Sequence, residues 1–519
     1  MKKAIYLIIA LIGLSAPSCS DSMLDFSPTD SGSGKELLKS ASTAITSVNG
    51  VYRSMWTAGW STTANTHQCF GIAAYNLALD CMADDLIMQS QGNGWFWGDH
   101  CYNVKSNYTS SAFRSYDVWY ANYKWIANVN YIINAEPEMA GTEADVAYVA
   151  GQAYAIRALC YLNLATWFSR APYNSLTGAS RWNEPCVPVY TTGTSIDTGG
   201  QPRESLRTVY GRIDQDIDRA IELLEKARET TLAENNKSHI NLYVALGIKS
   251  RACLAEGDWD GAFKAAKRVI DEGGYAVGTK SDLTGGMNSL DKQNVMWGAG
   301  IQVADQAGGY AGFFTHMDNK EGAYAKSAPK LISKQLYNRI SATDIRRDWW
   351  DPSDKESPYV SKKFSFANVA SFLGDYIYMR VEEMYFTAAE AALRLDDLKS
   401  ARELMNTVMA ERDPGYSANN RSGTLLGATT TAVTGSFLEN ILTHRRIELW
   451  GEYGRLFDVR RLGQGIDRRT DDGFSEECIS MMNRRNVNIT KADTYDWVLT
   501  IPKAELDANP NINEEDQNP

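Results

Sequence analysis

Apolar residues recur along most of this chain with the period of packed helices. Between Thr142 and Phe168 one helical face carries Val146, Val149, Ala153, Ile156, Cys160, Leu164 and Trp167. A second face carries Ala150, Tyr154, Ala158, Tyr161, Ala165 and Phe168. A helix that is apolar on two faces must be covered on both, as in a bundle or a helical repeat array. The same period predicts helices over Lys35–Trp60, Ile72–Met88, Ala112–Ala135, Glu204–Glu229, His239–Glu256, Trp259–Glu272 and Tyr376–Leu395. The pattern fails over about 89–110, 273–330 and 340–371, where Gly and aromatic residues gather, and over the Pro/Gly/Thr/Ser-rich Arg170–Arg203. The architecture expected is mainly α, interrupted by long irregular loop insertions, and such insertions usually carry function.

Two helix pairs are joined by tight turns. Ala255-Glu-Gly-Asp-Trp-Asp-Gly-Ala262 resembles the turn of a tetratricopeptide helical hairpin, and Tyr376–Ala410 gives a second copy turning at Leu395-Asp-Asp-Leu398. Further on, His444–Gly463 holds five arginines (Arg445, Arg446, Arg455, Arg460, Arg461) and three acids (Glu448, Glu452, Asp458) among apolar residues. On a continuous helix the pairs Arg445–Glu448, Glu452–Arg455, Arg455–Asp458 and Asp458–Arg461 fall on neighbouring turns. This stretch reads as a lattice fixing helices together rather than as a phosphate site. The net charge of −11 agrees, because a nucleic-acid surface needs a basic excess.

Residues Met1–Ser18 have the form of an export signal: Lys2 and Lys3, the apolar run Ala4–Leu14, then small residues. The run is too short to span a bilayer. Cys19 directly afterwards is expected to be lipidated, with residues 19–34 as a Ser/Gly/Asp-rich tether and 35–519 as one helical domain. The alternative is ordinary secretion after cleavage near Ser18. The other cysteines (69, 81, 101, 160, 186, 253 and 478) have neither metal nor disulfide spacing. Cys160 and Cys253 read as core; a bridge among Cys69, Cys81 and Cys101 stays open.

The chain carries 27 Tyr, 14 Trp and 15 Phe, more than core filling requires. Sugars offer flat C–H faces that pack on aromatic rings and hydroxyls that need polar partners. Gln89-Ser-Gln-Gly-Asn93-Gly-Trp95-Phe96-Trp97-Gly-Asp99 supplies both, with Trp95 and Trp97 expected on one side of the loop and Phe96 on the other. The competing role for either Trp is to anchor that loop. Gly308-Gly-Tyr310-Ala-Gly-Phe313-Phe314 is a second aromatic run, and Asp84, at the end of a helix, is an acceptor candidate. Candidate ligand residues are therefore Trp95, Trp97, Asn93, Asp84, Tyr310 and Phe313. No cofactor motif, metal-ligand spacing or nucleophile elbow is present in the sequence. The adjacent acids Asp84–Asp85, Glu382–Glu383 and Glu476–Glu477 are not by themselves the paired carboxylates of a glycosidase.

Four features together resemble the SusD/RagB family of outer-membrane nutrient-binding lipoproteins. They are the signal ending at Cys19; Gln152-Ala-Tyr-Ala-Ile-Arg157 through Trp167-Phe168 to Pro172; Tyr378-Met-Arg380 through Ala389-Glu390-Ala391; and His444–Gly463 with Ile501-Pro502, Glu505, Asn509-Pro510 and Gln517-Asn518-Pro519. His444 stands where the family usually has an acid, Tyr453 where a glycine is common, and Ser169 replaces a glycine. The resemblance implies an αα-superhelix of tetratricopeptide-like hairpins with loops that present an oligosaccharide. It also implies a SusC-like TonB-dependent transporter as partner, a lipid anchor in the outer membrane at the cell surface, and no cofactor. The expected function is non-catalytic glycan capture and delivery to that transporter. The alternatives are a secreted helical glycan-active enzyme and a tetratricopeptide-type scaffold that binds only protein.

Overall fold

Most of the long helices begin where the sequence supplies a cap. In this computed structural model, which describes residues 34–61, 65–103, 113–195, 197–233, 237–302, 310–492 and 494–519, Thr142 accepts from the Asp145 N–H, Ser205 from Thr208 and Asn241 from Tyr243 and Val244. Asp258, Asp397 and Ser436 cap three more helices in the same way. Each such cap satisfies donors left free at a helix start and contributes about 1 kcal/mol. The expected signal, Cys19 and all of the tether before residue 34 lie outside the described residues, as do 104–110 and 303–309 of the expected insertions.

The frame consists of α1 (Ala41–Ser54), α2 (Ile72–Met82), α3 (Phe113–Ala135), α4 (Glu143–Phe168), α5 (Leu206–Lys226), α6 (Leu242–Glu256), α7 (Trp259–Glu272), α8 (Val381–Arg394), α9 (Leu398–Ala410), α10 (Phe437–Glu448) and α11 (Arg455–Leu462). From α3 to α9 each helix packs on the next, and α8 also packs on α10. Helix α4 lies between α3 and α5, which is why both of its faces are apolar. The α6–α7 turn closes through Gly257, whose φ of +75° is left-handed and whose Cβ position would lie 2.5 Å from the Tyr173 ring. Only glycine suits that turn. This succession of helical hairpins is the mainly α, tetratricopeptide-like array expected. One continuous hydrophobic core runs from Ala41 to Ile501.

Four expected elements differ. The helix expected over Lys35–Trp60 is broken before Ala41, where Ser40 bridges to Ala140, and it ends at Ser54. The helix expected over Ile72–Met88 stops at Met82, and Leu86–Ile87 becomes strand β1. There Asp84 and Asp85 turn away to meet arginines from the far end of the chain. The helix expected from Tyr376 starts only at Val381. Residues Tyr376–Arg380 instead pair antiparallel with Val295–Ala299 in a small two-stranded sheet, as suits a run of β-branched and aromatic residues with a partner nearby. His444–Gly463 is interrupted at Leu449–Gly454, with Gly451 and Gly454 at φ +75° and +91°. β1 also joins Leu331–Ile332, Val360–Ser361 and Trp350–Asp351 in a small antiparallel sheet that ties the insertions to the frame.

Candidate ligand-binding face

Rings from two separate insertions meet around His67. The Trp95 indole stacks on the His67 ring with centroids 5.0 Å apart, and Tyr324 and Tyr310 meet the same ring edge-on at 5.4 Å and 6.1 Å. Phe372 extends the cluster, 5.3 Å from Tyr310. Tyr310 is 41% exposed, Trp95, His67 and Phe372 are partly exposed, and Tyr324 is buried beneath them. His67 is held from two sides: its Nδ1 meets the Tyr324 hydroxyl at 2.6 Å, and its carbonyl accepts from His316 Nε2 at 2.5 Å. Burial, reinforced by the nearby Lys330 charge, holds His316 well below the usual histidine range, so it stays neutral. The support under the exposed rings is therefore hydrogen-bonded and buried.

Local sequence explains why Trp95 faces outward. Gly92 and Gly94 both adopt left-handed backbone, and a Cβ on Gly92 would lie 2.7 Å from the Ser327 carbonyl. Phe96 is also left-handed, at φ +61°, a conformation that costs about 1–3 kcal/mol for a non-glycine residue. Its N–H donates to Gln68 Oε1 at 2.9 Å, and its ring packs on Phe70, on His316 and under Arg114. The chain then enters a short helix, Trp97–His100. The segment is thus a reversed turn and not a strand, and the alternation expected of residues 95 to 97 does not apply.

The structure divides the sequence candidates. Trp95 and Tyr310 meet at His67, and exposed Asn93 stands beside them, accepting a hydrogen bond from Ser327 Oγ at 2.9 Å. Trp97 is 4% exposed and packs on His100, so it anchors the loop. Phe313 is buried among Phe314, Phe364 and Tyr376. Asp84 is buried between Arg446 at 3.0 Å and Arg455 at 3.1 Å. Burial would raise its pKa, but the two arginines outweigh that and hold it well below the usual carboxylate range. At 5% exposure behind these arginines, Asp84 does not face a ligand. Sequence reasoning missed His67, Tyr324 and Phe372; Tyr324 sat inside the expected 273–330 insertion, whereas His67 and Phe372 carried no motif.

The arginine-rich stretch forms a buried ionic frame. Glu448 receives Arg346 at 3.1 Å and both Arg380 and Arg412 at 2.9 Å, and Glu452 receives Arg380 at 2.7 Å. Asp458 joins Arg445 at 2.8 Å to Arg461 at 2.7 Å, and Arg461 also meets Glu390 at 2.8 Å. Of the four local pairs expected, Asp458–Arg461 forms among the described residues. Across the glycine break the other charges find partners tens to hundreds of residues away. His444 explains its own departure from the family pattern. Burial, then the Arg346 charge, keeps it neutral, so its Nδ1 can accept from Arg346 Nη2 at 2.9 Å. Tyr453 lies under Arg251, 4.1 Å from ring centre to guanidinium.

The seven described cysteines are buried thiols, and no bridge links Cys69, Cys81 and Cys101. Among the described residues no cluster of His, Cys, Asp and Glu has the geometry of a metal site, and no helix is long and apolar enough to cross a membrane.

A helical repeat array whose loops bring aromatic rings to one partly exposed face has the build of a ligand-binding protein. Two family models match it. Residues 326–519 match the SusD family, and residues 43–254 match a family described as starch-binding and associating with the outer membrane. The chain belongs to the SusD/RagB family. Solved structures with the same fold include a SusD-like carbohydrate binding protein from Bacteroides vulgatus, with 24% identity, a TM-score of 0.72 and coverage of 92% of this chain and 98% of the other. A SusD superfamily protein from Bacteroides thetaiotaomicron matches with 22% identity and a TM-score of 0.72, over 92% of this chain and all 100% of the other. Surface glycan-binding protein A from Bacteroides thetaiotaomicron, in complex with laminarihexaose, matches with 16% identity and a TM-score of 0.63, over 92% of this chain and 99% of the other. No curated protein sequence matches the chain.

Proposed function

We propose that this protein is a non-catalytic, surface-exposed lipoprotein that captures an oligosaccharide on the His67–Trp95–Tyr310–Tyr324–Phe372 face and passes it to a SusC-like TonB-dependent transporter in the outer membrane. The observation that carries this reading is the convergence of rings from segments far apart in the chain on one supported, partly exposed surface. The ring faces of Trp95 and Tyr310 match the C–H faces of pyranoses, and Asn93 supplies amide N–H groups for hydroxyls. The complex of a structural relative with laminarihexaose supports the ligand class, and the outer-membrane description of a matching family supports the location. Lipidation at Cys19 supplies the anchor, and the residues after it supply the reach.

A binding role also suits the acids. Asp84 and Asp85 are taken up by Arg446, Glu382 by Arg380 and Arg412, and Glu383 by Arg251. A glycosidase needs one carboxylic acid with a raised pKa facing its substrate, and these four serve arginines instead. Affinity electrophoresis in gels containing starch, laminarin, xylan or mannan tests the reading. At least one polysaccharide is expected to retard the wild-type protein, to retard Trp95→Ala/Tyr310→Ala much less, and not to be degraded. Equal retardation of both proteins would overturn the assignment of this face.

A further inference from the structure

A second aromatic concavity lies on α3, at residues that the His67 face does not use. Trp119, Tyr120 and Tyr123 from α3 face Tyr190 and Thr198 across a cleft of about 350 Å³, with Glu505 in its lining. Helix α3 connects the two places. At its start Arg114 donates to the Gln68 carbonyl at 3.2 Å, next to His67, and Tyr123 follows about 14 Å further along the axis.

The rings in this cleft are fixed, and their faces form a corner. Tyr123 and Trp119 have centroids 4.8 Å apart, and Tyr190 stands perpendicular to Tyr123 at 5.8 Å. The Tyr123 hydroxyl donates to the Pro188 carbonyl at 2.8 Å, and the Tyr190 hydroxyl accepts from the Gln201 N–H at 2.9 Å. With both hydroxyls tied to backbone, what the two tyrosines offer the cleft is ring surface held in place before any ligand arrives, and such preorganisation lowers the cost of binding. Polar partners stand around them. The Glu505 oxygens accept from Trp119 Nε1 at 3.3 Å and Asn509 Nδ2 at 2.8 Å, which leaves each a further lone pair, and the Thr198 hydroxyl, accepting from the Ser195 N–H at 2.8 Å, keeps its proton to donate. The lining holds one cation, Lys124, and one anion, Glu505, so it carries no net charge.

We infer that this cleft is a second saccharide site that takes one or two neutral hexopyranose rings. A flat C–H face would stack on one ring of the corner while its edge meets the other, and hydroxyls would bond Glu505 and Thr198. The volume is at the small end of ligand pockets, which sets the length of one or two rings. The charge balance favours a neutral sugar over a uronate or a sulfated one. Held at both places, a long polysaccharide would bind more tightly than at either alone.

The test uses saturation-transfer NMR with methyl β-glucoside, methyl β-galactoside and methyl α-mannoside as separate probes. It is run on the Trp95→Ala/Tyr310→Ala protein, so that the first face is already disabled. At least one glycoside is expected to give a signal there. Adding Thr198→Trp, which fills the cleft from an exposed position, or Tyr120→Ala should each weaken that binding at least tenfold, with melting temperatures unchanged. Absence of signal from all three glycosides, or signals that survive both additions, would overturn the inference. Failure of the His67 face would look different, because Trp95→Ala/Tyr310→Ala would then keep full wild-type affinity for the oligosaccharide.

Discussion

The Trp95 indole rests on the His67 imidazole with ring planes 29° from parallel, and the Tyr324 hydroxyl holds His67 from its edge at 2.6 Å. The loop backbone turns Trp95 outward, and His67, itself partly exposed, is the surface on which the indole rests. His67→Ala is expected to weaken oligosaccharide binding about tenfold by releasing the indole, and His67→Phe, which keeps a stacking surface, should restore most of it. Calorimetric titration of both variants checks this, with tryptophan fluorescence reporting whether the indole has moved.

Trp97 and Phe313 are packing residues. Truncating a buried Trp or Phe to Ala costs about 3–5 kcal/mol. Trp97→Ala and Phe313→Ala should lower stability by that order in denaturant titrations, while the folded fraction keeps the wild-type ligand preference. A selective loss of binding without a loss of stability would contradict their placement in the core.

Glu448 pairs with three arginines at once. Replacing it with Gln leaves Arg346, Arg380 and Arg412 in a buried site short of one negative charge, and breaking such a pair costs about 3–5 kcal/mol. Asp458→Lys should destabilise comparably by repelling Arg445 and Arg461. Urea unfolding measures both. In neither variant should the ranking of glycans change, because the frame lies apart from the aromatic face.

Acid should unfold the protein through this same frame. Burial alone would raise the pKa of Asp458, but Arg445 and Arg461 overcome it and leave the carboxyl depressed; in Glu448, Arg412 and Arg380 do the same. A carboxyl whose folded pKa lies below its unfolded one contributes its full stability above the unfolded value and loses it as pH falls further. The loss should therefore set in near the ordinary values, 3.8 for Asp and 4.5 for Glu, and continue below them. Asp80 works in the opposite sense. Burial raises it to about 8, so its contribution falls as pH rises from 3.8 towards 8. Asp458→Asn should flatten the acid limb of a stability-versus-pH curve, and Asp80→Asn the neutral one.

Much of the frame could be read from the chain because helical packing is periodic. The two apolar faces of α4 announced neighbours on both sides, and Gly257 with Asp258 announced a hairpin turn. What periodicity could not convey was competition from distant partners. Tyr376–Arg380 reads as a helix start until Val295–Ala299 is present to pair with it, and Arg445–Glu448 reads as a local pair until Arg346, Arg380 and Arg412 arrive from elsewhere. The aromatic face was half legible. Gly-rich loops pointed to Trp95 and Tyr310, but His67, which joins them, sits in a short segment without a motif. Trp97 was misjudged because the left-handed backbone at Phe96 turns the chain inward after Trp95, and no local pattern signals that.

Glycan binding at the aromatic face around His67 is the property on which the proposed function depends. Isothermal titration of wild type and Trp95→Ala/Tyr310→Ala with an oligosaccharide of the polysaccharide that retards the protein in gels tests it most directly. Losing central aromatic anchors costs about 2 kcal/mol or more, roughly a thirtyfold loss of affinity. At least that loss is expected, with an unchanged melting temperature. Wild-type affinity in the double variant would contradict it.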